Sequence, residues 1–188
     1  MPAVEEPFRQ AWEDVAPALH AWARLRVRPA LRRRVDPDDL VQETCAEAWS
    51  SYARFDAERG SFRAWTFTIA TRVLTQALRR LGREGVPLEH GSGASSLLAR
   101  IPESITSVSQ RAARDEEVAR FCARVETLPE DEQRLLVHHG LEGRTLGEVA
   151  ELLGLEREAT KKRWQRLVAR LRAEGAPAGL GWESGESA

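Results

Sequence analysis

Apolar residues recur every three or four positions along most of the chain, and this is the spacing of one face of an α-helix. A clear example is the series Phe62, Trp65, Ile69 and Val73. The strict alternation of apolar and polar residues that is typical of β-strands is absent. The pattern therefore predicts an all-α fold.

In the first part of the chain, helix start and stop signals mark three helices. A first helix is predicted from about residue 8 to residue 26. Asp36 can cap a second helix, and Pro37 suits its first position. Ser61 can cap a third helix, which Gly82 ends.

In the second part, a helix is predicted over residues 111–127. Thr145 and Glu148 then have the spacing of a capping box, so a short helix begins there. Gly154 permits a tight turn, and a last amphipathic helix follows at about residues 157–173. Two helices joined by such a turn are typical of a helix-turn-helix.

Composition divides the chain into two small helical domains with a flexible connection. Residues 82–110 are rich in Gly, Ser and Pro and show little periodicity, which predicts a flexible linker. The linker separates domains at 1–81 and 111–174. Residues 175–188 are predicted to be a flexible acidic tail.

Charge is distributed unevenly along the chain. The 188 residues include 28 basic and 29 acidic ones, which excludes a globally basic nucleic-acid binder but not a locally basic one. Residues 157–172 carry seven basic residues and one acidic residue, and a phosphate backbone favours such a concentration of charge. Lys161 and Lys162 suit phosphates, and Gln165 suits base edges. The alternative is a solvated basic face.

Two helices of the first domain differ in charge. The helix at 61–81 combines arginines with aromatic residues, and this combination suits unpaired bases that stack on rings. The aromatic residues could instead simply fill a core. The helix at 36–52 is acidic on one face, which would repel DNA and so favours a protein partner or only solvent.

Neither a catalytic set nor a cofactor site emerges from the sequence. His138 and His139 are adjacent on a helix and cannot point the same way, so no metal site is expected. Phosphate-binding, nucleophile-elbow and dinucleotide motifs are absent. Cys45 and Cys122 lie in no metal-ligand spacing, and we predict that both are buried in a reducing cytoplasm. No secretory signal or membrane insertion is expected.

Two segments resemble the extracytoplasmic-function sigma factors, the small promoter-specificity subunits of bacterial RNA polymerase. Residues 36–80 resemble their second conserved region, and the sequences DLVQE and RGSFRAW within it are highly specific. Residues 128–172 resemble their fourth region. The sequence departs from the family pattern at Arg72 and Gln76 and at the start of the last helix, 158–160.

The resemblance implies three contact surfaces. The acidic helix would dock on core RNA polymerase through Asp38, Asp39, Leu40, Gln42 and Glu43. Capture of the unpaired minus-ten strand would involve Phe55, Arg59, Ser61, Phe62, Arg63, Trp65, Arg72, Arg79 and Arg80. The minus-thirty-five duplex would be contacted by Thr145, Arg157, Glu158, Lys161, Lys162, Arg163, Gln165 and Arg166.

The resulting interpretation is a non-enzymatic, cytoplasmic sigma factor whose partners are core RNA polymerase and promoter DNA. An anti-sigma protein that covers both domains is a further expectation from the family. The alternative is a helix-turn-helix regulator whose N-terminal domain senses a ligand or dimerises. An enzyme with a nucleic-acid-binding tail is a second alternative, but it would need a convergent titratable site.

Overall fold

The structure is a computed structural model that describes residues 2–82, 101–113, 115–177 and 180–181. These residues form eight α-helices and, within the described ranges, no β-strand, which confirms the all-α prediction. The helices are α1 (Pro2–Arg26), α2 (Pro37–Ser51), α3 (Phe62–Gly82), α4 (Glu103–Ala113), α5 (Glu116–Glu126), α6 (Glu130–Leu135), α7 (Leu146–Leu153) and α8 (Arg157–Ala173). A π-helical turn (Leu136–Leu141) continues α6, and 3-10 turns follow α1 and α2.

The first half of the chain is built around α1, which packs against α2, while α2 packs against α3. Trp12 and Trp22 of α1 are fully buried. Asp36 caps α2, as predicted, by accepting a hydrogen bond of 2.8 Å from the backbone N–H of Asp38. Ser61 caps α3 by accepting one of 3.2 Å from Ala64.

Helix α4 lies at the end of the predicted linker 82–110, so the linker prediction is wrong there. Its apolar residues Ile105, Val108 and Ala112 are spaced three and four apart, and all three are buried. They lie on a helix that contacts α1 and α2. The Ser and Thr residues between them give the segment a loop-like composition, which concealed this periodicity. Residues 83–100 of the predicted linker lie outside the described residues.

The helix predicted at 111–127 is also divided differently. Helix α4 ends at Ala113, and α5 begins at Glu116. Asp115 accepts hydrogen bonds from the backbone N–H groups of Glu117 and Val118, so it is the cap of a new helix.

The second half contains the predicted helix-turn-helix, formed by α7 and α8. The hydroxyl of Thr145 accepts a hydrogen bond of 3.2 Å from the Glu148 N–H, and Glu148 Oε2 accepts one of 2.8 Å from the Thr145 N–H. Gly154 ends α7 with a φ of +66°, a left-handed conformation that glycine adopts without strain. Both features confirm the prediction from the sequence.

The two halves pack against each other. The Cys122 thiol on α5 lies 3.8 Å from the Ala21 carbonyl on α1, and Trp22 Nε1 donates a hydrogen bond of 2.8 Å to Glu142. The prediction that both cysteines are buried is confirmed, and burial raises the pKa of Cys122 to about 12. Leu180, in the predicted flexible tail, is fully buried, so the chain is anchored at this point.

Candidate nucleic-acid interface

Helix α8 is basic on one face and apolar on the other. Its buried face carries Thr160, Trp164, Leu167 and Leu171. Six of the predicted DNA-contacting residues are exposed: Arg157, Glu158, Lys161, Lys162, Gln165 and Arg166. A helix held by its apolar face against the protein leaves this opposite face available to a duplex groove.

Two residues predicted to contact the minus-thirty-five duplex are engaged within the protein instead. Arg163 lies beside the buried face and forms an ion pair of 2.9 Å with Asp131 of α6. The Thr145 hydroxyl both accepts from and donates to Glu148. In this structure both side chains are therefore engaged by other residues of the chain, which differs from the prediction.

The start of α3 and the turns before it form an open cleft of about 340 Å³. It is lined by Arg54, Phe55, Asp56, Arg59, Gly60, Ser61, Ala64, Trp65 and Thr68. Four of the predicted minus-ten residues, Phe55, Arg59, Ser61 and Trp65, are therefore brought together here. The rings of Phe55 and Trp65 lie 5.2 Å apart between centroids. Aromatic walls beside an arginine suit a flat base and a phosphate.

Phe62 supports this cleft from behind. Its ring contacts Phe8 and Trp65, each at 5.6 Å between centroids, within an aromatic cluster that also includes Tyr52. Phe62 does not line the cleft, so the structure assigns it a packing role and not the predicted strand contact.

Three further arginines of α3, Arg72, Arg79 and Arg80, do not line the cleft. Arg72 forms an ion pair with Glu47, and Arg80 forms one of 3.3 Å with Glu43, both on α2. Arg72, Arg79 and Arg80 are all exposed. Like Arg163, Arg72 and Arg80 are therefore engaged by acidic side chains of the protein in this structure.

Arg63 is placed differently from the prediction. Its guanidinium donates hydrogen bonds of 3.0 Å to the Leu141 carbonyl and 2.6 Å to the Leu180 carbonyl. It also lies 5.0 Å from the centroid of the Phe67 ring. In this structure Arg63 joins the first half to the second and does not line the cleft.

The predicted docking residues of α2 divide between its two faces. Asp39 is exposed, and Gln42 and Glu43 are half-buried on the outer face. Asp38 Oδ1 lies 3.3 Å from Nδ1 of the buried His20. Leu40 is only 3% exposed and belongs to the core, so its predicted contact with polymerase is wrong for this conformation. The helical period places it on the inner face.

Glu142 is a buried acid that the sequence reasoning missed. Its carboxylate contacts Trp22 Nε1 and His138 Nδ1, each at 2.8 Å, and Arg144 Nε at 3.0 Å. Burial raises its pKa, but the hydrogen bonds from His138 and Trp22 and the charges of His138 and Arg26 outweigh burial and lower the pKa to about 2. The four-residue spacing between His138 and Glu142 is a signal that could have indicated the pair.

Candidate metal sites and membrane spans are both absent from the described ranges. There, no three His, Cys, Asp or Glu side chains are grouped so that they could hold a metal ion. None of the helices within those ranges is long and apolar enough to cross a membrane.

The structure is thus a helical protein that contains a helix-turn-helix, and its similarity to known proteins identifies its family. Residues 11–84 match the family Sigma-70 region 2. The ECF RNA polymerase sigma factor SigD of Mycobacterium bovis is 25% identical over 92% of this chain and 78% of its own length. The probable RNA polymerase sigma factor RfaY of Xanthomonas campestris is 31% identical over 73% of this chain and 33% of its own.

The ECF RNA polymerase sigma factor SigG of Mycobacterium tuberculosis is 44% identical over a shorter stretch of 61 residues, which covers 32% of this chain and 16% of SigG. The chain belongs to the extracytoplasmic-function sigma factors of RNA polymerase. These relatives do not favour the alternative of a helix-turn-helix regulator. Among solved structures, CnrH in complex with the cytosolic domain of CnrY is 24% identical over 85% of this chain and 79% of CnrH, with a TM-score of 0.32.

Proposed function

We propose that this sigma factor binds core RNA polymerase with the outer face of α2 and promoter DNA with two separate surfaces. The cleft beside Trp65 takes the unpaired minus-ten strand, and the exposed face of α8 reads the minus-thirty-five duplex. The corresponding domains are residues 1–81 and 111–174. The chain catalyses nothing itself, and it works in the cytoplasm, where polymerase and promoter are found. An anti-sigma protein is a further partner.

The cleft lined by the adjoining rings of Phe55 and Trp65 is the observation that carries this proposal. Single-stranded DNA exposes flat base faces together with a charged backbone. The cleft offers two aromatic rings for the base faces and the exposed Arg59 for the charged backbone. Moving a base out of the duplex stack costs a few kcal/mol, so the unstacked base needs such a receptive surface.

The first test removes the aromatic wall and the cation of the cleft in turn. Stacking contributes about 1–3 kcal/mol per base, so Trp65→Ala should weaken binding of a single-stranded minus-ten probe at least about fivefold. Arg59→Ala should weaken it by a smaller factor and reduce its salt dependence. The measurement is fluorescence anisotropy of the labelled strand with the sigma–polymerase complex.

Controls separate strand binding from folding. Trp65→Phe keeps an aromatic ring and should restore most of the affinity. Arg34→Ala removes an equal charge from an exposed site outside the cleft, and it should leave the affinity unchanged. If Trp65→Ala and Arg59→Ala bind the strand as wild type does, the cleft does not hold the minus-ten strand.

The second test addresses docking on polymerase. Asp39→Ala combined with Gln42→Ala removes two polar groups from the outer face of α2, leaving the buried face intact. Two contacts of about 1 kcal/mol each predict a roughly 30-fold weaker complex with core polymerase. Titration of labelled sigma factor with core enzyme measures this.

The matched control for docking is Glu6→Ala combined with Gln10→Ala, which removes one exposed acid and one exposed glutamine from α1. The control should bind core polymerase like wild type. Equal losses in both double variants would show that acidity in general, and not the α2 face, governs the interaction, which would contradict the proposed docking surface.

A further inference from the structure

The two halves of the chain are held in a closed arrangement that is too small for the proposed promoter contacts. The minus-ten and minus-thirty-five elements are centred about 25 base pairs apart, or about 85 Å along B-form DNA. A compact chain of this length has a radius of gyration of about 16 Å. In the structure, α1 packs directly on α5, and Trp22 bonds to Glu142. The halves must therefore separate for both elements to be contacted.

Leu180 and Gly181 lie on the junction between the halves. Leu180 is 0% exposed, although it lies beyond the last helix. Its carbonyl accepts a hydrogen bond of 2.6 Å from Arg63 of α3, and the same guanidinium donates one of 3.0 Å to the Leu141 carbonyl. A single side chain of the first half is thus held by both the second half and the C-terminal segment.

Gly181 allows the backbone to approach the Arg63 guanidinium closely. It has a φ of +78°, and a methyl group built on it would lie 2.6 Å from Arg63 Cζ. Any larger residue would both strain the backbone and push the guanidinium aside. The geometry at this position is therefore sensitive to the smallest possible substitution.

We propose that the C-terminal segment at Leu180 and Gly181 is an intramolecular latch, which keeps the two halves closed and withholds Arg63 from the promoter strand. The withholding of Arg63 rests on the proposed function, whereas the closure does not. Core polymerase opens the chain to the extent that it binds the separated halves more tightly than the closed form. Removing the latch shifts the same equilibrium without polymerase.

The test compares the full chain with a variant that ends at Pro177 and with Gly181→Ala. Small-angle scattering of the wild type should give a radius near the roughly 16 Å of a compact chain, and both variants should give a larger one. If only the open form binds the strand, the apparent affinity for the strand falls in proportion to the fraction of molecules that are open. Both variants should therefore bind a labelled single-stranded DNA 12-mer of random sequence at least about threefold more tightly.

Two control variants complete the design. Val4→Glu places a carboxylate on an exposed apolar residue, 38% exposed, away from the latch, and should change neither measurement. In the chain ending at Pro177, Arg63→Ala should abolish the gain in affinity. An unchanged radius in both latch variants would overturn the latch. A larger radius without tighter strand binding would overturn only the withholding of Arg63, and with it the predicted strand contact of that residue.

Discussion

Replacing Glu142 with alanine is expected to lower the free energy of unfolding by about 3 kcal/mol, because removing one member of a buried charged network leaves its partners unsatisfied. The carboxylate has hydrogen bonds to Trp22 and His138 and an ion pair with Arg144. Urea titration followed by circular dichroism measures the loss. Glu142→Gln keeps an acceptor and should lose less than Glu142→Ala.

The same carboxylate predicts a pH dependence. Because the pKa of Glu142 is lowered from an ordinary 4.5 to about 2, the ionised group stabilises the folded chain above about pH 4.5. This stabilisation is lost as the pH falls towards 2. The ionised carboxylate stabilises the fold by at most about 3 kcal/mol. The stability of Glu142→Ala should therefore fall less steeply than that of wild type as the pH is lowered from about 4.5 towards 2.

Glu151→Ala is the control, since Glu151 is exposed on α7. It should change the free energy of unfolding by no more than about 0.5 kcal/mol. If Glu142→Ala is as stable as this control at pH 7, the buried network does not stabilise the fold in the way that its geometry indicates.

The second large effect concerns duplex DNA. Lys161→Ala combined with Arg166→Ala removes two exposed cations from α8, and each phosphate contact contributes about 0.9 to the slope of log affinity against log salt. The slope should therefore fall by about 2, with an affinity loss of about tenfold or more at low salt. Binding of the full chain to a random-sequence duplex, titrated over a salt series, gives both values.

The chain offers a control with equal charge on the same helix. Arg163→Ala combined with Arg170→Ala also removes two cations from α8, but these side chains pair with Asp131 and Glu132 of α6. The control should leave the slope close to that of wild type. Equal slopes in the two double variants would mean that α8 acts only through its total charge, and not through its exposed face.

Local signals allowed much of the fold to be predicted from the sequence. Asp36, Ser61 and Thr145 each cap a helix through contacts within three residues, so their types and spacing suffice to place helix starts. The short helix α4 was missed because the Ser and Thr residues between its apolar positions resemble a linker. Its stabilisation comes from packing on α1, which no local pattern reveals.

The site could be predicted only where periodicity determined exposure. Lys161 occupies the exposed face that the pattern indicates, whereas Trp65 belongs to the apolar series of α3 and yet lines the cleft. Arg163 and Arg63 do not occupy the predicted surfaces, because their positions depend on partners that are distant in sequence: Asp131 is 32 residues from Arg163, and Leu180 is 117 residues from Arg63. Arginine reaches such partners by its length, and the sequence alone does not specify which partner it finds.

Transcription in vitro tests the central claim most directly. Core RNA polymerase from the source organism is incubated with genomic DNA fragments, with and without this chain, and the 5′ ends of the transcripts are mapped. If the chain is a sigma factor, a set of start sites appears only when the chain is present, and Asp39→Ala combined with Gln42→Ala reduces their use strongly at limiting sigma concentration. The same start sites at the same frequencies with and without the chain would contradict the account.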